Sequence, residues 1–412
     1  MDIVNEVEAI LGYGDTCNHC LGRFFGKRSF GLTNEERGRA LRITHEIAAN
    51  EPHREPDPQS CWICGGELSR VDEWAAKVVE AFRGIEFSTF LIGTKVPPLV
   101  AESEETVWSD LSLHDPEPLK AEMNREVGKA VSALSGKTAD LKHPDVVAVL
   151  DLAEGTVEVQ INPVFFFGRY LKYERGIPQT HWDCRACRGA GCERCNFTGK
   201  QYADSVEELI GRPVIEAFDA ENAVLHGAGR EDIDARMLGS GRPFVMEVEA
   251  PRKRSLDLAA LEEEINRSAG GRVAVHLVGW SDRKTVQSLK SDKAHKKYRI
   301  LVETDGPVAP DEFGAALDQL KGVTIRQRTP IRVSHRRADK VRERRVLDIE
   351  CTGSVDGRYW VEVVGEAGLY IKELVSGDSG RTQPSLAQIL GRTASVVSLD
   401  VMLVKTANEY GE

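Results

Sequence analysis

Several features that would assign a function directly are missing from this sequence of 412 residues. No apolar run approaches the roughly 18 residues that a membrane helix needs. The opening stretch, MDIVNEVEAILGYG, is acidic and amphipathic, unlike a signal peptide. No Gly-x-Gly-x-x-Gly follows a predicted strand, and no Gly-x4-Gly-Lys-Ser/Thr occurs. We therefore expect a cytoplasmic protein that does not interact with a membrane and uses no nucleotide or SAM cofactor.

An overall excess of positive charge is also missing, because the formal net charge is −11. Two segments reverse this balance. Residues 282–299 carry seven Lys/Arg against two Asp, and residues 326–345 carry nine Lys/Arg against two acidic residues. The alternation of Ile325, Ile331 and Val333 favours strands that display these arginines. Such stretches on an acidic body suit a groove for a phosphate backbone, although a solvated basic face is the alternative.

Eight of the nine cysteines occur in closely spaced pairs. The pairs have Cys-x-x-Cys spacing: Cys17 and Cys20, Cys61 and Cys64, Cys184 and Cys187, Cys192 and Cys195. In a reducing compartment this spacing indicates zinc ligation, four thiolates to each ion. One structural zinc is expected in the N-terminal segment and a second is possible in the later cluster. Unrelated reduced cysteines are the alternative for the first set, and a metal-free cluster is the alternative for the second.

The length exceeds what one core serves, so two or three domains are expected. Residues 1–70 form a zinc-binding segment, 71–180 an α/β domain, 181–200 a Cys-rich ribbon and 201–412 a second domain. Helical periodicity predicts helices from about Thr33 to Ala48 and over Leu119–Ser135. Successive strand patterns after residue 243 predict an antiparallel sheet. The expected fold class is thus α+β, and a monomer is expected.

The loop over residues 227–244 concentrates glycines, arginines and carboxylates that no core requires. Glycines permit close approach to a ligand, and arginine forks match phosphate geometry. Asp232 is the central carboxylate, and Arg230, Arg236 and Arg242 surround it in sequence. An ionised acid held beside a polyanionic substrate is one interpretation, and an ion-paired surface turn is the other.

Four ordered motifs carry a resemblance to a known family. They are GREDIDARMLGSGRPF from Gly229, KKYRILVE around Tyr298, TPIRVSHRRADKVRERRV from Thr329, and GLYIKELVSGDSGRTQPSLAQILG from Gly368. In these four motifs the chain resembles archaeal tRNA pseudouridine synthases that act on positions 54 and 55 of the TΨC arm. The resemblance implies an isomerase with a mixed, largely antiparallel catalytic sheet and tRNA as partner. It also implies base flipping and a reaction that needs no cofactor.

The same resemblance implies roles for individual residues. Asp232 would be the nucleophile and Lys372 the cation paired with it. Tyr298 would pack on the flipped uracil and serve in proton removal. The other implied substrate-binding residues are Tyr370, Leu399 and Arg230. Asp234 is the rival nucleophile; Asp232 is preferred because Gly-Arg-x-Asp is the form found in the wider synthase families.

Two further sets of residues are predicted to contact RNA. Within the second basic segment these are Arg336, Arg337 and Arg344. The region 71–180 resembles a THUMP domain, an RNA-binding module of tRNA-modifying enzymes, in GTKVP, KHPDVVAVLD and FFFGRYLKYERGIPQ. Its candidates for phosphate contacts are Lys95, Lys142, Arg169, Lys172 and Arg175.

Two other functions remain open beside that of a tRNA pseudouridine synthase. The first is a zinc-containing, non-catalytic RNA-binding accessory protein that uses the synthase fold as a platform. The second is nucleoside hydrolysis by the same carboxylates, which leaves the basic segments and the THUMP-like region unexplained.

Overall fold

The computed structural model of this protein describes residues 2–114, 116–291, 293–334 and 337–405. The chain divides into two compact units, Met1–Asn162 with Arg252–Arg254, and Pro163–Pro251 with Ser255–Glu412. Each unit has its own core of buried apolar side chains. None of the described helices combines the length and the apolar composition that crossing a bilayer demands.

The first unit is a small α/β assembly with a four-stranded sheet. Its elements are α1 Ile3–Leu11, α2 Asn18–Arg23, α3 Asn34–Ala49, α4 Val71–Ala81, β1 Thr89–Lys95, α5 Pro98–Asp110, α6 Leu119–Ser135, β2 Thr138–Ala139, β3 Val146–Asp151 and β4 Thr156–Ile161. The strand order is β2-β1-β3-β4, in which β1 is parallel to both neighbours and β4 is antiparallel to β3.

Helices α2 and α3 cross at two glycines. A Cβ atom added to Gly22 would lie 1.8 Å from the carbonyl oxygen of Asn34, and one added to Gly38 would lie 1.8 Å from that of Asn18. Only glycine permits such a close backbone approach. Because Cys17 is the N-cap of α2, the crossing fixes the first cysteine pair against α3.

The second unit is built on a ten-stranded sheet. Its elements are β5 Val164–Lys172, α7 Val206–Phe218, β6 Asn222–Gly227, β7 Arg236–Glu249, α8 Leu258–Ser268, β8 Val273–Ser281, α9 Arg283–Ser291, β9 His295–Thr304, α10 Pro310–Asp318, β10 Thr324–Arg328, β11 Val341–Val355, β12 Arg358–Gly365, α11 Ile371–Ser376, β13 Thr382–Gln383, α12 Leu386–Leu390 and β14 Ala394–Lys405. The order is β13-β10-β11-β12-β9-β14-β7-β5-β8, and β6 also pairs with β7.

The pairing in this sheet is mixed but largely antiparallel. Among the described strands β7 and β14 run parallel, with Asp400 opposite Arg236, and the other neighbours run antiparallel. The buried carboxylate of Asp400 accepts hydrogen bonds from Arg236 at 2.7 and 2.9 Å and from Arg175 at 2.5 Å. This clamp holds the start of β7, and therefore the end of the loop between β6 and β7, against β14.

The predicted fold class is confirmed in both units. The helix over Leu119–Ser135 has the predicted bounds. Thr33 caps α3 through a capping box with Glu36, so the helix begins at Asn34, one residue after the predicted start. The predicted domain boundaries at residues 70, 180 and 200 remain a prediction. Strand β5, which precedes residue 180, pairs with β7 and β8 in the second sheet.

Two detailed expectations are wrong. Ile331–Val333 forms a short 3-10 turn instead of a strand, because Pro330 cannot donate a hydrogen bond to a neighbouring strand. Lys172 is fully buried on β5 and donates hydrogen bonds to backbone carbonyls, so it cannot contact a phosphate.

Candidate functional site

The loop over residues 228–235, which joins β6 to β7, has an inner face that is closed to solvent. Its centre is the carboxylate of Glu231, which accepts hydrogen bonds from Arg242 Nε at 2.8 Å and from the Tyr170 hydroxyl at 2.8 Å. Arg242 also donates to the carbonyl of Ala228 at 2.7 Å. The side chains of Glu231 and Arg242 are each only 1% exposed. The buried carboxylate of Glu231 is thus paired with the buried guanidinium of Arg242, because an unpaired charge in the protein interior is energetically costly.

The backbone of this loop is held by two further side chains from the chain segment before it. Lys172 Nζ donates to the carbonyl of Ile233 at 3.2 Å, and Gln179 Nε2 donates to that of Gly229 at 3.0 Å. Burial lowers the pKa of Lys172 and raises the pKa of Tyr170 well above its ordinary value. The loop is therefore fixed at both ends and in the middle.

The outer face of the same loop presents Asp232 to solvent. Its side chain is 29% exposed, and Arg332 Nη1 lies 2.8 Å from Oδ2 and 3.0 Å from Oδ1. Lys372 Nζ lies 3.7 Å from Asp232 Oδ2, but its shorter contacts, 2.6 and 2.8 Å, are with Asp234. Burial alone would raise the pKa of Asp234, but the hydrogen bond and the charge of Lys372 lower it. The carboxylates of Asp232 and Asp234 thus lie beside two cations, Arg332 and Lys372.

The closest cation to Asp232 is one that sequence reasoning missed. Arg332 lies on the 3-10 turn after β10, and the buried carboxylate of Glu373 on α11 accepts hydrogen bonds from its Nε at 2.7 Å and its Nη2 at 3.3 Å. Both residues fall inside motifs quoted above, but nothing in their spacing indicates that they meet. Glu373 orients the guanidinium so that its remaining nitrogen faces Asp232.

Asp232 lines two neighbouring spaces. The outer cleft, of about 450 Å³, is bordered by Trp182, Arg230 and Arg337. The inner cavity, of about 240 Å³, is bordered by Tyr298 and Leu399. Asp232, Arg332 and Lys372 line both spaces. The resemblance therefore selected residues that the fold does bring together.

Tyr298 lies on β9 in the wall of the inner cavity. Burial raises the pKa of its hydroxyl to about 12, an effect that Arg242 opposes and Asp232 reinforces. The phenol therefore remains protonated at neutral pH. Forming the phenolate at pH 7 would cost roughly 7 kcal/mol, so a stacking role is easier for this residue than proton removal by the phenolate.

Lys296, two residues before Tyr298, is a second group that sequence reasoning did not single out. Its side chain borders the inner cavity, and it forms no hydrogen bond or ion pair with the part of the chain that the structure describes. Burial lowers its pKa to about 8, reinforced by the charge of Arg242 and partly offset by Glu231. Gly229 leaves room for it, because a Cβ atom there would lie 3.0 Å from Lys296 Nζ.

The remaining predicted residues occupy different places. The guanidinium of Arg230 lies 5.2 Å from the ring centroid of Trp182. Tyr370 is the N-cap of α11, and its hydroxyl accepts a hydrogen bond from Arg337 at 3.0 Å. Arg344 Nε donates to the carbonyl of Ala367 at 2.8 Å, so this guanidinium is already used by the fold. Arg336 lies outside the described residues.

The eight paired cysteines form two clusters in which all four sulfurs lie within 4.8 Å of one another. In the first cluster, Cys17 Sγ and Cys64 Sγ are 3.7 Å apart; in the second, the Cys187 and Cys195 sulfurs are 3.8 Å apart. Zinc–sulfur bonds of about 2.3 Å in a tetrahedron place sulfurs about 3.8 Å apart. Both clusters therefore fit a zinc ion, the first within the core of its unit and the second near the surface.

Comparisons with known proteins cover nearly the whole chain. A family model described as "Pus10, C-terminal" matches residues 165–405, and one described as "Pus10 THUMP domain, archaeal" matches residues 74–151. A protein of Methanothrix thermoacetophila named "tRNA pseudouridine synthase Pus10" is 46% identical over 97% of this chain and 94% of its own length. A protein of that name from Halorubrum lacusprofundi is 44% identical over 99% and 98%, and one from Pyrococcus furiosus is 38% identical over 98% of both.

Proposed function

Because the chain belongs to the Pus10 family of tRNA pseudouridine synthases, we propose that it converts uridine to pseudouridine at positions 54 and 55 of the TΨC loop, with Asp232 as the nucleophile. The observation that carries the proposal is the place of Asp232. This carboxylate sits between the outer cleft and the inner cavity and is flanked by Arg332 and Lys372. A polynucleotide held in the cleft and a base flipped into the cavity would meet at this carboxylate.

The surroundings of Asp232 suit a nucleophile. The 2.8 Å contact with Arg332 holds the carboxylate in a fixed orientation. Because the side chain remains 29% exposed, it can exchange part of this contact for the substrate. Attack at the sugar or the base accompanies cleavage of the bond between N1 and the sugar C1′. The uracil then rotates, C5 joins C1′, and the bond to Asp232 is broken again; C5 loses its proton and the released N1 takes one up, so the overall change is an isomerisation.

Two residues of the inner cavity would hold the base during this rotation. Tyr298 offers an aromatic face, and stacking of a base on such a ring contributes roughly 1 to 3 kcal/mol. Lys296 offers a proton donor with no partner in the described structure, which could meet a carbonyl oxygen of the uracil as negative charge develops on it. Leu399, only 8% exposed, supplies an apolar wall.

The two cysteine clusters are proposed to hold structural zinc and to take no part in the reaction. The sulfur separations carry this assignment, and thiolate–zinc ligation requires the reducing environment of the cytoplasm, where we place the protein. Two zinc ions per chain are expected by metal analysis. Replacing Cys61 and Cys64 with serine should remove one ion and destabilise the first unit, whose core contains these residues.

The proposed partner is tRNA, bound by a monomer without nucleotide or SAM cofactor. The alternative, a non-catalytic RNA-binding accessory protein, would not need a carboxylate held between two cations beside a base-sized cavity. Activity on an unmodified tRNA transcript separates the two functions, with pseudouridine mapped at each position of the loop.

The decisive variant is Asp232→Asn, with Asp234→Asn as its matched control on the same loop. Asp232→Asn should abolish the release of tritium from C5-labelled uridine in tRNA, because an amide is a poor nucleophile. Filter binding of tRNA should be nearly unchanged, since phosphate contacts supply most of the affinity. Asp234 is 62% exposed and contacts Lys372, so Asp234→Asn should cost only a few-fold. Full activity in Asp232→Asn would transfer the nucleophile to another residue, and an inactive wild type would favour the accessory protein.

A further inference from the structure

The Cys-rich ribbon, predicted over residues 181–200, leaves the second unit and returns to the same point. The amide of Gln201 donates to the carbonyl of Trp182 at 2.9 Å, and Asp183 pairs with Lys200 in an antiparallel bridge. The second cysteine cluster lies between these closing contacts. The ribbon is therefore a separate projection with a fixed base.

The surface of the ribbon combines an exposed aromatic ring with cations that have no partner among the described residues. Phe197 is 74% exposed. Arg185, Arg188 and Arg194 are exposed, and their guanidiniums form no hydrogen bond or ion pair with any residue the structure describes. By contrast, two arginines outside the ribbon, Arg212 and Arg272, each pair with the carboxylate of Asp204. In a chain of net charge −11, three unpaired arginines within ten residues are therefore available for an external anion.

The exposure of Phe197 follows from the backbone and not from packing. Its φ of 59° is in the left-handed region, which bulky side chains rarely adopt, and its amide donates to the carbonyl of Cys192 at 2.8 Å. Gly199 permits this tight path, because a Cβ atom there would lie 2.3 Å from the carbonyl oxygen of Gly189. The cluster of cysteines thus holds the aromatic ring out into solvent.

The base of the ribbon is part of the outer cleft. Trp182 lines that cleft together with Asp232, and its ring lies 5.7 Å from that of Tyr202 and 5.2 Å from the guanidinium of Arg230. An aromatic ring and a cation thus lie where the cleft meets the base of the ribbon.

We propose that the Cys-rich ribbon is an RNA-binding element that holds single-stranded nucleotides next to the target uridine, with a base stacked on Phe197 and phosphates on the three arginines. This inference rests on the function proposed for the cleft. Bases in single-stranded loops are open to stacking on aromatic side chains, and arginine forks match phosphate oxygens. An acidic protein would use the arginines but would have no particular need of an aromatic face.

The aromatic part of the proposal is tested by comparing Phe197→Leu with Phe197→Tyr in filter binding of unmodified tRNA. Leucine keeps apolar area but removes the stacking face, and tyrosine keeps both. Phe197→Leu should weaken affinity by about 5- to 150-fold, the equivalent of one lost stack, whereas Phe197→Tyr should bind within about two-fold of wild type.

The electrostatic part is tested by replacing Arg185, Arg188 and Arg194 with glutamine together. If each meets one phosphate of a single strand, the log–log dependence of affinity on salt should flatten by about two units. Arg267→Gln is the control, since this exposed arginine on α8 pairs with Glu264 and lies outside the ribbon. Zinc content equal to that of wild type would show that the ribbon remains folded in each variant.

The outcomes separate this inference from the proposed reaction. If Phe197→Leu and the triple variant bind tRNA like wild type while their zinc content is intact, the ribbon does not bind RNA and the inference is overturned. An active wild type with these results would leave the role of Asp232 untouched. An inactive wild type whose tRNA binding still depends on the ribbon would overturn the reaction and support the ribbon.

Discussion

The inner and outer faces of the loop over residues 228–235 carry similar charges in different surroundings. On the inner face, Glu231 and Arg242 are 1% exposed and have fixed partners. On the outer face, Asp232 is 29%, Arg332 34% and Lys372 24% exposed, and the two cations are shared among several carboxylates. A buried pair cannot change partner without exposing a bare charge, but a half-exposed pair can. The inner face therefore fixes the position of the loop, and the outer face is free to react.

The largest effect is expected on the inner face, from Arg242→Met. This change leaves the carboxylate of Glu231 buried with no charged partner but Lys172 at 4.0 Å, which should cost about 3 to 5 kcal/mol of unfolding free energy. Urea unfolding of the second unit measures the loss, and tritium release should fall with it. Adding Glu231→Leu should restore much of the stability, because it removes the unpaired buried carboxylate. An unchanged unfolding midpoint in Arg242→Met would show that the pair does not hold the loop.

The next effect is expected on the outer face from Arg332→Met, chiefly on the rate, with some loss of stability because the buried carboxylate of Glu373 loses its guanidinium partner. Without Arg332, Asp232 loses its 2.8 Å contact and its fixed orientation, so kcat should fall by about 100-fold while KM changes little. Arg332→Lys should recover only part of the rate, because an ammonium cannot join Glu373 and Asp232 as the guanidinium fork does.

Arg326→Met is the matched control for Arg332→Met. Arg326 belongs to the same basic segment, but it is exposed on β10 and does not line either space around Asp232. This control should leave kcat unchanged. Equal losses of kcat in the two variants would mean that the charge of the segment matters and that the contact with Asp232 does not.

Features of the molecule also differ in whether they could be predicted from the sequence. Local signals were sufficient for the helix over Leu119–Ser135, whose apolar period is visible in one window, and for the cysteine clusters, whose spacing is short. The motif around Asp232 predicted the nucleophile, and that role stays a prediction. Each of these depends on residues that are close along the chain or on a resemblance that spans them.

The closest partner of Asp232 could not be predicted in that way. Arg332 meets it across 100 residues of chain, on a turn where the alternating apolar residues favoured a strand. Lys172 looked like a surface cation until β5 was placed inside the second sheet. The low pKa of Lys296 arises from burial by strands that are distant in sequence. Such properties belong to the packed sheet and not to any single segment.

Lys296 sharpens the comparison most finely, since it is partly buried yet has no hydrogen-bond or ion-pair partner among the residues that the structure describes. The folded protein releases its proton around pH 8, whereas the unfolded chain retains it to about pH 10.5. The wild-type free energy of unfolding should therefore gain from this residue as pH rises between those values, and Lys296→Met should abolish that gain. At pH 7 the variant should be more stable by about 1 to 3 kcal/mol, because a buried charge is removed.

The activity of Lys296→Met should fall although its stability rises. If the ammonium of Lys296 meets a uracil carbonyl, Lys296→Met should lower kcat by about 10-fold at pH 7, a smaller loss than Arg332→Met produces. The wild-type rate should decline as pH rises through 8, and the variant should lack this decline because it has no proton to lose at that position. Tritium release and urea unfolding measured across pH 6.5 to 10 test both halves. A variant that gains stability but keeps the wild-type pH–rate profile would make Lys296 a buried cation without a role in the reaction.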